Sequence, residues 1–272
     1  MQLSEISIYP VKSCAGISLD TAEVEPRGLQ FDRRWMLANA NTGKFLTARD
    51  TPKLLSLRTR PSDAGIALSA PDLAELFAST PTNPDHTISV TIWDDQLDAG
   101  VCDPLVNQAL SAWLSEPVQL VWMAAGNTRL TDPRYATEAN QSVSFADGFP
   151  LLLISKASLD GLNQRLINKG RAAVPMARFR PNLVISGAMP AHAEDTWKKI
   201  CIGERHFALV KPCVRCVLTT IDADTLTRDA FGEPLKTLIE YRRSPKGVTF
   251  GMNLIPLDTG LIQIGDWVKE IF

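Results

Sequence analysis

WKKICIGERHFALVKPCVRCVLTTI, residues 197–221, is the stretch on which the reading of the fold turns. Apolar residues recur through 197–202 and again through 205–210, and Gly203-Glu204 between them is a tight turn signal, so the pair reads as a hairpin. The run 217–221 is β-branched and reads as a further strand. Short strands packed this closely argue for barrel-like architecture rather than alternating strand and helix.

The rest of the second half agrees. Residues 182–186 form a strand candidate, preceded by a helix from about Ser155 with Leu159, Leu162, Leu166 and Ile167 at helical spacing and Gly170 as its stop. Before it lies the apolar strand 149–154. A short helix from Glu233 to Arg242 and closing strands near 261–264 and 267–271 follow the opening stretch. The first half is also strand-rich, at 3–9, 17–25, 34–38, 44–48, 66–69, 87–93 and 118–123, with Asn41-Thr42-Gly43 turning one hairpin. Residues 71–86, broken by Pro71, Pro81 and Asn83-Pro84, read as a loop with one short helix. A clear helix opens at Pro104, with Asp103 as N-cap and Leu105, Val106, Ala109, Leu110, Trp113 and Leu114 on one face. Residues 124–148 lack any period, which in a compact protein marks a linker or a functional loop. The expected fold is therefore mainly β (a β-rich α+β protein) with two packed units, 1–123 and 124–272, and three helices.

Composition narrows the class of function. The 272 residues are 45% hydrophobic and 21% charged, with 28 basic against 30 acidic side chains, which argues against disorder and against a broad nucleic-acid surface. No signal peptide and no apolar run long enough for a membrane helix is evident, so a cytoplasmic protein with no membrane contact is expected. The five cysteines, at 14, 102, 201, 213 and 216, read as reduced thiols.

Cys213-Val214-Arg215-Cys216 has three chemical readings: a redox dithiol, half of a zinc site, or a thiolate ligand for a softer metal. The dithiol reading wants a helix immediately after the motif, and 217–221 reads as strand. Cys201, His206, Cys213 and Cys216 would supply a Cys₃His zinc set. Cys201 and Cys102 otherwise read as small buried hydrophobes. Arg215 beside Cys216 favours the thiolate and also suits a phosphate. Further cations stand at strand ends or prolines: Lys12 in YPVKS, Arg33 in FDRRW and Arg180 in FRPN. Asp222 fits either a site neighbour or a turn residue.

YPVKSCAG, FDRRWML, FRPNLVISG, EDTW, CVRCVLTTID and IGDWV occur in that order across nearly the whole chain. Together they resemble MOSC-domain proteins that carry an N-terminal MOSC β-barrel domain, the bacterial YcbX type and the mitochondrial amidoxime-reducing component. The resemblance implies a molybdenum cofactor, a pyranopterin dithiolene whose metal takes one protein cysteine, and two-electron reduction of small N-hydroxylated compounds, with detoxification as the expected role. On the matching positions, Cys216 is implied as the catalytic molybdenum ligand. Lys12, Ser13, Arg33 and Arg180 are implied to hold the pterin phosphate and ring, with Asn182, Val214 and Arg215 completing the cradle. Gly148 and Phe149 stand where relatives carry Thr-Ser, leaving backbone contacts, and Asn253 stands where some relatives carry tyrosine. No plant-type C-x₄-C-x₂-C spacing is present, so no iron–sulfur cluster is expected and electrons are expected from a separate flavin reductase or ferredoxin-type donor. The alternative is a molybdenum-cofactor carrier or sulfur-transfer protein using a Cys216 persulfide, for which no pyridoxal-phosphate lyase segment is seen.

Overall fold

The computed structural model describes residues 1–82, 86–124 and 126–271. In chain order the first half contains β1 (Gln2–Ile8), β2 (Ile17–Leu19), β3 (Thr21–Glu25), β4 (Gly28–Leu29), β5 (Trp35–Asn39), β6 (Arg58–Ser62), β7 (Gly65–Ala70), β8 (Leu73–Ser79), β9 (Thr87–Ile92), β10 (Asp95–Val101), α1 (Pro104–Leu114) and β11 (Val118–Trp122). The second half contains β12 (Leu151–Ser155), α2 (Lys156–Asn168), β13 (Leu183–Ser186), β14 (Lys199–Ile202), β15 (Arg205–Val214), α3 (Leu235–Arg242), β16 (Arg243–Ser244), β17 (Gly247–Pro256), β18 (Gly260–Gln263) and β19 (Val268–Ile271). The mainly β expectation holds. Among the paired strands of the described residues only β12 and β13 run parallel.

The main sheet runs β19-β14-β15-β17-β12-β13-β1-β2. Its ends approach through the bridge between Gln2 and Trp267 and through Leu3 N donating to Asp266 O (2.9 Å), which gives a barrel-like wrap. Leu3, Ile6, Leu153, Leu183, Phe207, Leu209 and Leu254 fill its interior. β1 therefore lies in the sheet of the second half, and β3 pairs with β18, so the two units interlock. The remaining first-half strands build β5-β11-β10-β9 and the meander β6-β7-β8 around a second core containing Trp35, Leu37, Leu54, Leu68 and Leu120. Burying one such side chain contributes about 1.5–3 kcal/mol.

Local chemistry explains the helix starts. The Asp103 carboxylate accepts from Leu105 N (2.7 Å) and Pro104 takes the first helical position of α1. At α2 the Ser155 hydroxyl caps Ser158 N, and the fully buried Glu194 carboxylate accepts from Ser155 N, Ser155 Oγ and Ser158 Oγ. A buried carboxylate is stable there because three donors and the helix N-terminus all face it.

Three expectations are corrected. Residues 73–79 form β8 and not a loop with a helix; Ile66 and Leu68 of β7 pair with Ala78 and Leu76, and Asp72 (φ 61°) makes the tight turn. Residues 83–85 of that stretch lie outside the described residues. Residues 217–220 form a single 3-10 turn and not a strand. There the Thr219 and Thr220 hydroxyls donate to Cys216 O (2.9 Å) and Val217 O (2.7 Å), a local bonding pattern that competes with a sheet ladder. β15 also runs farther than read, through Pro212 and Cys213 to Val214. None of the helices of the described residues is long and apolar enough to cross a membrane.

Candidate functional site

Lys12 sits just after β1 in a turn laced to the segment before β5. Lys12 N donates to Trp35 O (2.8 Å), Arg33 N to Tyr9 O (3.0 Å) and Tyr9 N to Asp32 Oδ1 (2.8 Å). The backbone here is unusual: Ser13, Arg33 and Arg180 all take left-handed conformations, at φ 69°, 49° and 54°. Each costs a non-glycine residue about 1–2 kcal/mol, held by the surrounding bonds. All three line one cleft.

That cleft has an empty volume of about 940 Å³, part of it open to solvent. Lys12, Ser13, Arg33, Gly148, Phe149, Arg180, Asn182, Val214, Arg215, Cys216 and Asn253 all line it, so every position that the motif resemblance implies for the cofactor is brought together. Arg49, Asp147, Thr47, Cys213 and Thr219 line it too, and sequence reasoning did not place them there. Arg49 and Asp147 come from irregular segments with no local signal, and only the tertiary fold brings them to Lys12.

The cations are held individually. Lys12 Nζ is buried and donates to Phe145 O (2.8 Å) and Asp147 Oδ1 (2.5 Å). Burial lowers its pKa from the ordinary lysine value, with Asp147 pulling the other way. Asp147 is held well below the usual carboxylate range: burial raises its pKa, but the attraction of Lys12, its hydrogen bond and Arg49 outweigh that. Arg33 donates to Asp32 Oδ2 (2.6 Å) and Asn182 Oδ1 (3.0 Å). The Tyr9 ring lies 4.4 Å from the Arg33 guanidinium and 4.1 Å from that of Arg180. Burial also lowers the pKa of Arg180. Three cations in one cleft would repel one another. In the fold Asp147, Asp32 and the face of Tyr9 relieve much of that repulsion.

Asn182 is buried, and its Oδ1 accepts from both Arg33 Nη1 and Leu152 N (3.2 Å) while Nδ2 donates to Ser7 O (3.1 Å). Its amide thus fixes Arg33 to the sheet. Gly148 leaves open space where a Cβ would stand. Asn253 lies on β17 opposite Lys211.

Cys213 and Val214 end β15, and half-buried Cys216 follows at the start of the 3-10 turn. The expectation that Arg215 sits on Cys216 is corrected: Nη1 donates to Cys213 Sγ (2.9 Å) and Nη2 to Phe179 O (2.7 Å). Residues two apart in extended chain share a face, which puts Arg215 and Cys213 within reach of each other. Arg215 Nε is buried without a partner. Cys201 pairs across the hairpin with His206, which lies seven residues up β15 from Cys213, roughly 20 Å along a strand. The Cys₃His set is therefore not assembled, and His206 Nδ1 pairs with Asp258 Oδ2 (2.7 Å). Among the described residues no group of three or more His, Cys, Asp or Glu side chains is placed to hold a metal. Cys102 is buried, as expected, and Asp222 is a turn residue that accepts from Asp224 N, Thr225 N and Arg178 Nη2.

Chemically, the lining offers five cations against one carboxylate, together with two thiols. Such a lining is complementary to an anionic ligand with a phosphate, and its sulfur suits a soft metal.

Two family models match this chain. Residues 1–119 match the MOSC N-terminal beta barrel domain and residues 140–269 the MOSC domain. The mitochondrial amidoxime-reducing component 1 of Mus musculus is 32% identical over 97% of this chain and 80% of its own length. That of Homo sapiens is 31% identical over 97% of this chain and 81% of its own. A molybdenum cofactor sulfurase of Oryza sativa subsp. japonica is 33% identical over 93% of this chain, which spans 32% of that longer protein.

Proposed function

Because the chain belongs to the MOSC family, with a MOSC N-terminal β-barrel domain ahead of a MOSC domain, we propose that it is a molybdenum-cofactor-dependent reductase of N-hydroxylated compounds. Hydroxylamines, amidoximes and N-hydroxylated base analogues are the substrate class. The observation that carries this reading is the single cleft in which Cys216 meets Lys12, Arg33 and Arg180. The lining fits the cofactor: an excess of cations for its phosphate, soft thiols for its metal, an unpartnered buried Arg215 Nε, and open space at Gly148.

Bound there, the cofactor supplies the two-electron chemistry that removes oxygen from nitrogen. The chain's own residues hold and orient it. Lys12, Ser13, Arg33 and Arg180 grip phosphate and ring, and Asn182 fixes Arg33 in place. Gly148 and Phe149 contribute backbone, Val214, Arg215 and Asn253 complete the lining, and Cys216 provides the metal's protein ligand. Electrons come from a separate flavin reductase or ferredoxin-type protein, and the setting is the cytoplasm.

Metal analysis and paired substitutions test this. Molybdenum near one per chain is expected in freshly purified protein. With reduced methyl viologen as donor, Cys216→Ser lowers amidoxime reduction at least about 100-fold, and Cys213→Ser lowers it no more than about 10-fold. Equal losses would point to a dithiol, and an active Cys216→Ser would remove the ligand assignment. Likeness to the rice sulfurase favours a second reading, a cofactor carrier or sulfur-transfer protein. Its signature would be an extra sulfur on Cys216 by mass spectrometry, with little bound molybdenum.

A further inference from the structure

Beside the thiol segment of the cleft lies a group of side chains that the cofactor reading does not use. Tyr135, from the irregular stretch 124–148, stands edge-on to the cleft-lining Phe149, with ring centroids 5.8 Å apart and planes at 78°. Lys211 Nζ lies 5.2 Å from the Tyr135 ring and 5.6 Å from the Phe149 ring. Lys246 Nζ donates to the Tyr135 hydroxyl (2.6 Å). The turn that carries Lys246 is pressed against Val214, since a Cβ on Gly247 would stand 2.7 Å from Val214 Cγ1. Val214 lines the cleft two residues before Cys216. Tyr135 thus packs on a ring that lines the cleft, and the two ammonium groups lie within 5.6 Å of one or both of these rings.

Neither Lys211 nor Lys246 is in an ion pair with a carboxylate among the described residues. Among the described residues, the lysines that pair with carboxylates are Lys12, Lys156 and Lys169. Asp132, the carboxylate whose charge is influenced by Lys211, is occupied by Arg134 (2.6 Å). Two ammonium groups set around one tyrosine ring, neither in an ion pair with a carboxylate, raise a positive local potential that an anionic ligand relieves. The edge and face of Tyr135 and Phe149 suit a flat ring.

We propose that Tyr135, Phe149, Lys211 and Lys246 form a selectivity rim that favours planar aromatic substrates carrying a carboxylate or phosphate group. This rests on the reductase reading and specifies its substrate. The ring lies against the aromatics, the anionic group pairs with the lysines, and the N-hydroxyl end enters the cleft. Specificity then arises from charge at the opening as well as from the reacting group.

Benzamidoxime and 4-carboxybenzamidoxime share the reacting group and differ in charge. With loaded protein and reduced methyl viologen at low salt, the carboxylate is expected to have the higher kcat/KM. The ratio of the two values should fall about tenfold in Lys211→Met/Lys246→Met, as two partly solvated ion pairs imply, and also when salt is raised to about 0.5 M. Preference for the neutral compound, or a ratio unmoved by the double substitution, would overturn the rim. If the wild type reduces neither compound, the reductase reading fails, and equilibrium binding by saturation-transfer NMR decides the rim by itself. Tighter binding of 4-carboxybenzamidoxime that is lost in the double variant supports it, and equal binding of the two compounds rejects it. An added phosphate-bearing aromatic probe, phenyl phosphate, competing with the carboxylate extends the rim to phosphates; failure to compete restricts it to carboxylates.

Discussion

The cationic lining and the thiol segment of the same cleft are built in opposite ways. Around Lys12, Arg33 and Arg180 nearly every polar group is engaged: Asp32 holds Tyr9 N and Arg33, Asn182 holds Arg33 and two strands, and three residues sit in left-handed backbone. Around Cys216 the chain is at a strand end, Val214 is 42% exposed, and none of residues 213–216 has a positive φ. One region is embedded in the core and pre-set, and the other is open and accessible. That contrast suits a site in which a ligand is gripped at one place and reacts at another.

Stability measurements can break this comparison most directly. Asp32→Ala removes a buried carboxylate and leaves Tyr9 N and the Arg33 guanidinium short of a partner, so unfolding in urea should show a loss of about 3 kcal/mol. Cys216→Ser, at a half-buried position, should cost less than about 1 kcal/mol. Similar losses in the two variants would mean that the regions are not built differently.

A smaller effect should appear in thiol chemistry. Burial pushes the Cys14 thiol, beside the Lys12 turn, up to about 12, whereas Cys213 and Cys216 are partly exposed. Iodoacetamide at about pH 8 should therefore label Cys213 and Cys216 in the native protein and leave Cys14 unmodified. The raised value also sets a pH window. Below the unfolded thiol value of 9.0 both states keep the proton, and the full contribution to stability is present. It is lost as pH rises from there toward about 12. Cys14→Ala should flatten that decline in the urea midpoint, and an unchanged slope would contradict it.

How much of this was visible beforehand depends on the range of the forces involved. α1 and α2 were legible because Asp103, Pro104 and Ser155 act within one turn of themselves. The cleft residues were legible through motif resemblance, since no local rule connects Lys12 with Arg180. β8 was misread because Pro71, Pro81 and Pro84 signal a loop locally, whereas the pairing with β7 that makes 73–79 a strand is set by the neighbouring strand. At 217–220 threonine hydroxyls overrode β-branched preference, and Arg49 and Asp147 became cleft residues only through long-range packing.

The smallest expected effect concerns the backbone. Ser13→Gly removes the left-handed penalty and should stabilise the protein by about 0.5 kcal/mol after glycine's own entropy cost, read as a shift of the urea midpoint. Val214→Gly, made where φ is ordinary, should destabilise it. Stabilisation in both would erase the distinction between the two regions.

Arg33 Nη2 reaches Arg180 O across 147 residues of sequence, and the Tyr9 hydroxyl reaches Pro181 O across 172. Ribosomes add about 5–20 residues per second. A nascent chain that has emitted Lys12 and Arg33 therefore waits on the order of ten seconds before Arg180 even exists. Throughout that interval β1 lacks β13, its eventual neighbour, and exposes an unpaired edge. Loading of any ligand is thus a late event in the life of the molecule, after synthesis has passed Arg180. The vulnerable period for misassembly falls before it, while the first strand is still without its partner.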